Sequence, residues 1–364
     1  MRGWEWTSRL GALWTLVLLL AIPVEGEGKE PRRVVEAHGH LSLSGVPLIL
    51  QVMEEHGIEW MVNLSGGSPG RGMQRAVELA KRTGGRVINF YTPDWSRFRE
   101  PDFGVVEARR LDVAVKTYQY GGLKISKHLG LGLRDPAGGF VDVDDPGLDP
   151  LWEKAGELGV PVAIHVGDPK AFFEPLTPTN ERWDELHVHP SWSFHHGRYP
   201  RRDKLLEARN RVIERHPRTT FICVHFGNNP EDPDAVAKWL DTYPNMLIDI
   251  SARVGEFGRH PSEKMRNFFI RYQDRILFGT DIALSARGIM LGSVGETPSQ
   301  VSDIRPFYQA HWSYLETRKE KMAHPVPIQG KWTVDGIGLP SEVLEKIYRT
   351  NAEKWIPHGS VPGK

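Results

Sequence analysis

Two histidines one residue apart, His38 and His40, follow an apolar run that begins at Val34. The run is typical of a short buried strand, and side chains alternate along a strand, so both imidazoles leave it on the same side. Two imidazoles at this spacing can chelate one divalent cation, and Gly39 lets the backbone pass close by. A pair of solvated loop histidines would have the same spacing, so this motif alone does not decide between the two interpretations.

Further ionisable residues belong to later apolar runs. Lys124 lies in the fourth run, and the fifth, sixth and eighth runs end in His165, His225 and Asp281. A single histidine in such a place is more often a core residue than a ligand. Imidazoles and a carboxylate at the ends of several strands, however, suit a Zn²⁺, Mn²⁺ or similar site that keeps a position open for water.

The rest of the chain has to bring these strand ends together. Apolar runs alternate with amphipathic helical patterns, and the predicted strands are residues 34–40, 59–64, 86–91, 122–126, 160–165, 219–225, 245–250 and 275–281. Buried parallel strands that alternate with helices favour an α/β fold, the (β/α)₈ TIM barrel, whose active site forms at the carboxyl ends of the strands. A doubly wound open sheet is the alternative, but no Gly-x-Gly-x-x-Gly turn follows any strand.

Two long loops are expected to cover the barrel mouth, residues 167–202 after strand 5 and residues 285–335 after strand 8. The first is rich in aromatic residues and histidine, so we expect Trp192 and His195 to bind substrate. Its histidines could instead form a second metal site. The aromatic residues of the second loop are expected to pack. Arg253, just after strand 7, is expected to bind a substrate carboxylate, with a surface salt bridge as the alternative.

The composition excludes some partners. The chain has 364 residues, of which 40% are apolar, with 46 basic and 46 acidic residues. No net field therefore favours nucleic acid or an anionic membrane, and we expect a small-molecule substrate. The lone Cys223 allows no internal disulfide. A homodimer is compatible with this composition.

The first 28 residues predict a secretory signal peptide and short leader, before a barrel over residues 29–358 and a tail over residues 359–364. The apolar run of residues 10–24 is preceded by Arg2 and Arg9, and it is shorter than the roughly 20 residues that span a bilayer. We therefore expect export to the periplasm or the medium, without stable membrane association after cleavage. An uncleaved N-terminal anchor is the alternative.

The strand-end motifs resemble those of the amidohydrolase superfamily, and most closely its amidohydrolase-2 branch, which includes α-amino-β-carboxymuconate-semialdehyde decarboxylase. The motifs are His38-Gly39-His40, His165, Val224-His225-Phe226-Gly227 and Phe278-Gly279-Thr280-Asp281. The resemblance extends over about residues 34–356. One departure is Glu36, which stands where the family usually has aspartate.

This resemblance implies a ligand set of four residues for one divalent ion, Zn²⁺ first and Mn²⁺ as the alternative. The implied ligands are His38, His40, His165 and Asp281. His225 would lie beside the metal-bound water as acid/base or electrophile, and Asp281 would carry the proton. Lys124 matches a bridging position of two-metal members, although we expect it to bind substrate instead.

The expected function is hydrolysis of a small-molecule ester, lactone or amide bond through a metal-activated water. A metal-dependent, non-oxidative decarboxylase (a lyase) would use the same ligands and is the alternative. A non-catalytic secreted binding barrel is a more distant alternative. A metal-free glycoside hydrolase is disfavoured because it needs two carboxylates across the mouth, and Asp249 falls within its predicted strand.

Overall fold

The computed structural model describes residues 32–358 except His196. The expected signal peptide, leader and tail lie outside the described residues. Among the described helices, none combines the length and apolar character needed to cross a membrane.

Parallel strands form the centre of the fold, and successive strands from the first to the eighth are neighbours. Their side chains are almost all buried, as expected when helices cover the outside. The strands are Val34–Leu41 (β1), Ile58–Asn63 (β2), Val87–Tyr91 (β3), Gly122–Ile125 (β4), Val162–Ile164 (β5), Phe221–Cys223 (β6), Met246–Asp249 (β7), Ile276–Leu277 (β8), Ile282–Ser285 (β9) and Gly288–Leu291 (β10).

The eighth strand position is divided, and this division closes the barrel. β8 pairs with β7, whereas β9 pairs in parallel with β1. Between them, the Ala37 amide donates to the Phe278 carbonyl at 2.9 Å and the Asp281 amide donates to the His38 carbonyl at 3.0 Å. The predicted continuous strand over residues 275–281 is therefore wrong in detail, because Asp281 adopts a left-handed backbone with φ 64°. The closed TIM barrel itself is confirmed.

Seven outer helices alternate with the strands. They are Val46–His56, Met73–Arg82, Phe103–Tyr118, Asp149–Leu158, Arg202–Arg215, Pro233–Thr242 and Ser262–Arg271. The first ends at Gly57, whose φ of 67° is the left-handed conformation that terminates helices. A last helical segment, residues 341–355, contains a π-helical turn at Lys346–Thr350, and its Asn351 side chain donates to the Ile276 carbonyl at 2.8 Å.

The two long loops follow strands 5 and 8 as predicted. The loop after β5 contains short helical turns, including Trp183–Leu186 and Pro190–Trp192. The segment after β9 contains β10 and the long helix Val301–Glu316, which sequence analysis did not predict as a helix. Its aromatic residues Phe307, Tyr308, Trp312 and Tyr314 are buried against the barrel.

Candidate active site

β1 places both histidines of the first motif at the carboxyl end of the barrel. The His38 ring is buried, and its Nδ1 donates to Asp249 Oδ2 at 2.7 Å, which leaves Nε2 free of hydrogen and 3.5 Å from Asp281 Oδ1. His40 has Nδ1 2.7 Å from Ser65 Oγ and Nε2 3.4 Å from the same Asp281 oxygen. Two imidazole nitrogens therefore converge on one carboxylate.

Asp281 stands where the eighth strand position is interrupted. Its left-handed backbone turns the chain there, and its amide is held by the His38 carbonyl of β1. Burial raises the pKa of the carboxyl group above its usual value, while nearby cations act in the opposite direction.

Asp249 holds His38, His225 and Ser251 in position through hydrogen bonds, and sequence analysis did not predict this role. It is the last residue of β7, and its Oδ1 accepts from the His225 amide at 2.8 Å and from Ser251 Oγ at 2.6 Å. Burial acts to raise the pKa of Asp249, but His38 and these hydrogen bonds hold it below its usual value. A carboxylate that fixes the tautomer and orientation of a ligand imidazole is a recurrent feature of metal sites.

His225 and His165 lie beside His38. The ring centroids of His225 and His38 are 4.7 Å apart, and those of His165 and His225 are 4.5 Å apart. His225 Nδ1 donates to the Ser251 carbonyl at 3.0 Å, so its Nε2 is an acceptor. Burial lowers the pKa of His225 well below its usual value and that of His165 to about 3, so both imidazoles are neutral and able to bind a metal.

These residues fit a divalent cation. Ligand atoms of His38, His225 and Asp281 lie within 4.8 Å of one another. The 3.4 and 3.5 Å separations between the histidine nitrogens and Asp281 Oδ1 are close to the roughly 3.3 Å expected between two ligands of a tetrahedral zinc-like ion. His38 Nε2 and Asp281 Oδ1 are also buried without a hydrogen-bond partner. Neutral nitrogens and a carboxylate are a suitable donor set for such an ion.

The structure brings three of the four implied ligands together around one point: His38, His40 and Asp281. The fourth, His165, has Nε2 3.4 Å from Asp168 Oδ1, and its ring lies 4.5 Å from that of His225. Its assignment as a ligand remains a prediction, and the position of His225 makes that residue an alternative source of the third nitrogen.

Lys124 belongs to β4. Its side chain is buried and Nζ has no hydrogen-bond partner. Burial lowers the pKa of Lys124 to about 8, although Asp249 and Asp281 act to raise it. Lys124 therefore places a cationic amine close to both carboxylates, but outside the lining of the cavity described next.

A cavity of about 120 Å³ opens beside the candidate metal ligands. Its lining comes from strand ends and from both long loops: Lys127, His165, Asp168, Phe172, Glu185, Trp192, His225, Arg253, Asp281, Met290, Gly292, Ser293 and Gln329. Two of the predicted substrate-binding residues, Trp192 and Arg253, line it. His195 is exposed on the loop after β5 and does not contribute to this lining.

Asp168 joins the cationic groups of the cavity. Its carboxylate pairs with Lys127 and lies 3.9 Å from Arg253 Nη2 and 3.4 Å from His165 Nε2. Burial acts to raise the pKa of Asp168, but the neighbouring cations hold it far below its usual value. Sequence analysis missed both Asp168 and Lys127, because neither residue closes an apolar run.

A buried ion-pair cluster ties the covering segments together. Arg182 Nη1 donates to Glu185 Oε2 at 2.6 Å, and the same guanidinium pairs with Glu256, which follows β7. Ser293, beyond β10, donates to the other oxygen of Glu185. The loop after β5 is thus joined to the segments after strands 7 and 8, and Glu185 and Ser293 of this cluster line the cavity.

The fold and site define a (β/α)₈ barrel protein with a candidate divalent-metal centre at its mouth. The chain belongs to the amidohydrolase family: residues 71–357 match the family model described as Amidohydrolase. No curated protein sequence matches the chain.

Solved structures share the fold at low sequence identity. An uncharacterized TIM-barrel protein from Bordetella bronchiseptica is 15% identical with a TM-score of 0.50, over 89% of this chain and 98% of that one. The 2,6-dihydroxybenzoate decarboxylase from Rhizobium is 16% identical with a TM-score of 0.48, over 89% and 98%. The 5-carboxyvanillate decarboxylase from Novosphingobium aromaticivorans, with bound manganese, is 12% identical with a TM-score of 0.49, over 89% and 96%. At these identities the likeness is one of fold.

Proposed function

We propose that the protein is a metal-dependent lyase of the amidohydrolase family that removes CO₂ from a small carboxylic acid without an oxidant. The observation that carries this proposal is the place of Arg253, which lines the 120 Å³ cavity together with Asp281 and His225. Arg253 Nη1 donates to the Ala252 carbonyl at 2.7 Å, and Nη2 remains 3.9 Å from Asp168, beyond hydrogen-bond distance. This guanidinium therefore has donors to offer a substrate carboxylate.

The candidate ligands for the ion are His38, His40 and Asp281, with His225 or His165 as a further nitrogen. A bound divalent cation would lower the pKa of a water molecule and neutralise negative charge on a substrate oxygen. Zn²⁺ and Mn²⁺ both suit this donor set, so the identity of the ion stays a prediction.

Side chains of the protein bind the substrate, transfer the proton and exclude water. Arg253 holds the carboxylate that leaves as CO₂. Asp281 relays a proton from water to the carbon atom from which the carboxylate departs, so that R–COO⁻ and H⁺ become R–H and CO₂. Where His165 supplies the further nitrogen for the ion, the neutral imidazole of His225 orients the substrate by accepting a hydrogen bond at Nε2. Trp192 and Phe172 exclude water from this side of the cavity.

Hydrolysis is the second candidate, and one observation favours it. The Asp281 carboxylate lies beside both imidazoles of β1, where it could take a proton from an attacking water and return it to a leaving group. A lactone or amide that carries a carboxylate would use Arg253 in the same way.

One screen separates the two reactions. Purified protein reconstituted with Zn²⁺ or Mn²⁺ is incubated with hydroxybenzoates, lactones and amides that carry a carboxylate, while released CO₂ and released acid are measured in parallel. We expect CO₂ in one-to-one ratio with product. Acid release without CO₂ would favour hydrolysis, and metal-independent turnover would contradict both. The Arg253→Met variant should raise KM for the active substrate, whereas Arg259→Met, which removes a surface guanidinium, should not.

We also propose export, on the basis of the N-terminal pattern alone. Sequencing the N-terminus of the protein expressed in a secreting host would test it. A mature chain that begins near residue 27 would support cleavage, and a chain retained at the membrane would support the uncleaved anchor.

A further inference from the structure

The segment that carries His225 has an unusual backbone. Four consecutive residues after β6, His225, Phe226, Gly227 and Asn228, have φ values of 56°, 56°, 66° and 52°. Residues with a Cβ rarely adopt this left-handed region because it costs free energy, and only Gly227 of the four lacks a Cβ. Such a backbone persists only where the surrounding structure holds it. We call residues 225–228 the left-handed turn.

Two arginines hold the carbonyl groups of the left-handed turn. The Gly227 carbonyl accepts from Arg209 Nη1 at 2.5 Å, and the Asn228 carbonyl accepts from Arg202 Nη2 at 2.7 Å. Both arginines belong to the helix Arg202–Arg215, and Arg209 is completely buried. Burial of a guanidinium is costly unless its donors are used, so these bonds indicate that the helix keeps the turn in place.

The side chain of Asn228 joins the left-handed turn to the end of β5. Its Oδ1 accepts from the Val166 amide at 3.2 Å. Val166 directly follows His165, whose own amide donates to the Ile125 carbonyl of β4 at 3.0 Å. Asn228 is 1% exposed, and its Nδ2 has no hydrogen-bond partner among the described residues. The acceptor oxygen of Asn228 therefore connects the segments that carry His165 and His225.

Arg202 makes a second link between the same two segments. Its Nε donates to the Asp168 carbonyl at 2.9 Å, in addition to the bond from Nη2 to the Asn228 carbonyl. The rings of His165 and His225 lie between these links and the candidate ligands of β1, with their centroids 4.5 Å apart. Because either imidazole can supply the further nitrogen for the ion, the spacing between them bears on metal binding.

We propose that Asn228 is a positioning residue, whose left-handed backbone and whose bond to Val166 together set the spacing between the imidazoles of His165 and His225. The inference rests on the proposed function where it concerns the metal ion. Asparagine suits this position because it tolerates the left-handed region and also supplies the acceptor. Aspartate would supply both, glycine would supply the backbone alone, and alanine would supply neither.

Three variants of Asn228 separate these contributions. Calorimetry measures Kd for Zn²⁺ on the metal-free protein, and thermal unfolding gives Tm. Asn228→Gly loses the bond to Val166, so we expect zinc binding to weaken about 10-fold. Asn228→Ala should weaken it at least as much and should have a lower Tm than Asn228→Gly, because it places a Cβ in the left-handed region. Asn228→Asp keeps the acceptor oxygen and should not weaken zinc binding.

The matched control is Asn245→Gly. Asn245 precedes β7, at the opposite end of the barrel from the candidate metal ligands, and its Nδ2 donates to the Thr219 carbonyl at 2.9 Å. This variant loses an amide that is held by the backbone, so Tm should fall while Kd for zinc stays at the wild-type value. Wild-type zinc affinity in Asn228→Gly, or equal weakening in Asn245→Gly, would overturn the inference.

Crystal structures of the metal-free variants supply a measurement that does not depend on zinc. The distance between the ring centroids of His165 and His225 should increase beyond 4.5 Å in Asn228→Gly and stay near this value in Asn228→Asp. An unchanged distance in Asn228→Gly would also overturn the inference. A wild-type protein that binds no zinc would count against the proposed function, and the distance between the rings would then decide the inference by itself.

Discussion

The candidate active site has two parts that are built in different ways. One part, the strand wall, consists of His38, His40, Asp249 and Asp281 at the ends of β1, β7 and the eighth strand position. The other, the loop wall, consists of Lys127, Asp168, Glu185 and Trp192 in the connecting segments. Strand-wall side chains are held by neighbouring strands, as in the bond from His38 to Asp249. Loop-wall side chains are held by ion pairs between loops, as in the pair of Lys127 and Asp168.

This difference separates two tasks. Parallel strands fix the spacing of the strand wall, so the candidate ligands keep their geometry whichever substrate enters. The loop wall depends on contacts between segments that tolerate exchange of residues, so it is where a family can vary its substrates. Three variants test whether the two walls act separately, and a fourth tests the helix Val301–Glu316 that packs on the barrel.

Asp281→Asn should produce the largest effect. An amide cannot carry the proton and is a weaker metal ligand, so we expect kcat to fall by about 10²–10⁴-fold. Plasma mass spectrometry should also find less than one metal ion per chain. Asp274→Asn, which removes a surface carboxylate paired with Lys346, is the control and should keep both values. An Asp281→Asn protein with full metal content and full activity would contradict the assignment.

Asp249→Asn tests the support of the strand wall. Without the carboxylate that fixes its tautomer, His38 should bind the metal about 10- to 100-fold more weakly. Titration of the metal-free protein with Zn²⁺, followed by calorimetry, measures this change. Excess metal should restore part of kcat, because Asp281 remains in place. Wild-type metal affinity in this variant would show that the strand wall does not depend on Asp249.

The variant His311→Phe tests how far acid destabilises the helix Val301–Glu316 that packs on the barrel. Burial within this helix lowers the pKa of His311 to about 4, below the value near 6.5 expected in the unfolded chain. The unfolded state therefore binds the proton first as pH falls, and stability is lost between about pH 6.5 and 4. Urea unfolding at pH 7 and pH 5 should differ by on the order of 2 kcal/mol more in wild type than in His311→Phe. Equal pH dependence in the two proteins would assign the acid sensitivity to other groups.

Glu185→Gln should have the smallest effect. Arg182 keeps Glu256 as an anionic partner, so we expect a loss of about 1 kcal/mol in the free energy of unfolding. Because the loop after β5 is then held less firmly over the cavity, KM should rise severalfold, while metal affinity stays at the wild-type value. A change in metal affinity would mean that the two walls are coupled. Glu181→Gln, which loses an exposed pair with Arg259, is the control.

Much of the fold could be predicted from sequence because each element carries its own pattern. The helices Val46–His56 and Phe103–Tyr118 lie between predicted strands, where helical patterns were expected, because glycine and amphipathic spacing mark such helices locally. The helix Val301–Glu316 was not predicted, although Gln300 and Asp303 form a capping box. Pro306 inside this helix and the turns around it obscure the helical spacing of its apolar residues.

The site could be predicted only where chemistry coincides with a strand end. His38, His40 and Asp281 each end or interrupt an apolar run, and the structure places them together. Asp249 was set aside as a strand-interior residue, but shortening of the strand makes it the last residue of β7. The loop wall left no local signal, because Asp168 meets Lys127 from a segment about forty positions away and only the folded chain shows that pairing.

The seam between β1 and the divided eighth strand also bears on how the protein is made. Its two sides lie more than 240 positions apart in the chain. Across it, the Glu36 carboxylate accepts hydrogen bonds from both the amide and the hydroxyl of Thr280. A ribosome must therefore release nearly the whole barrel before the first and last strands can meet. The candidate ligands from those strands come together at the same moment, so truncated or half-folded chains have no complete pocket for the ion. Only a chain with a complete barrel would then be able to bind the ion.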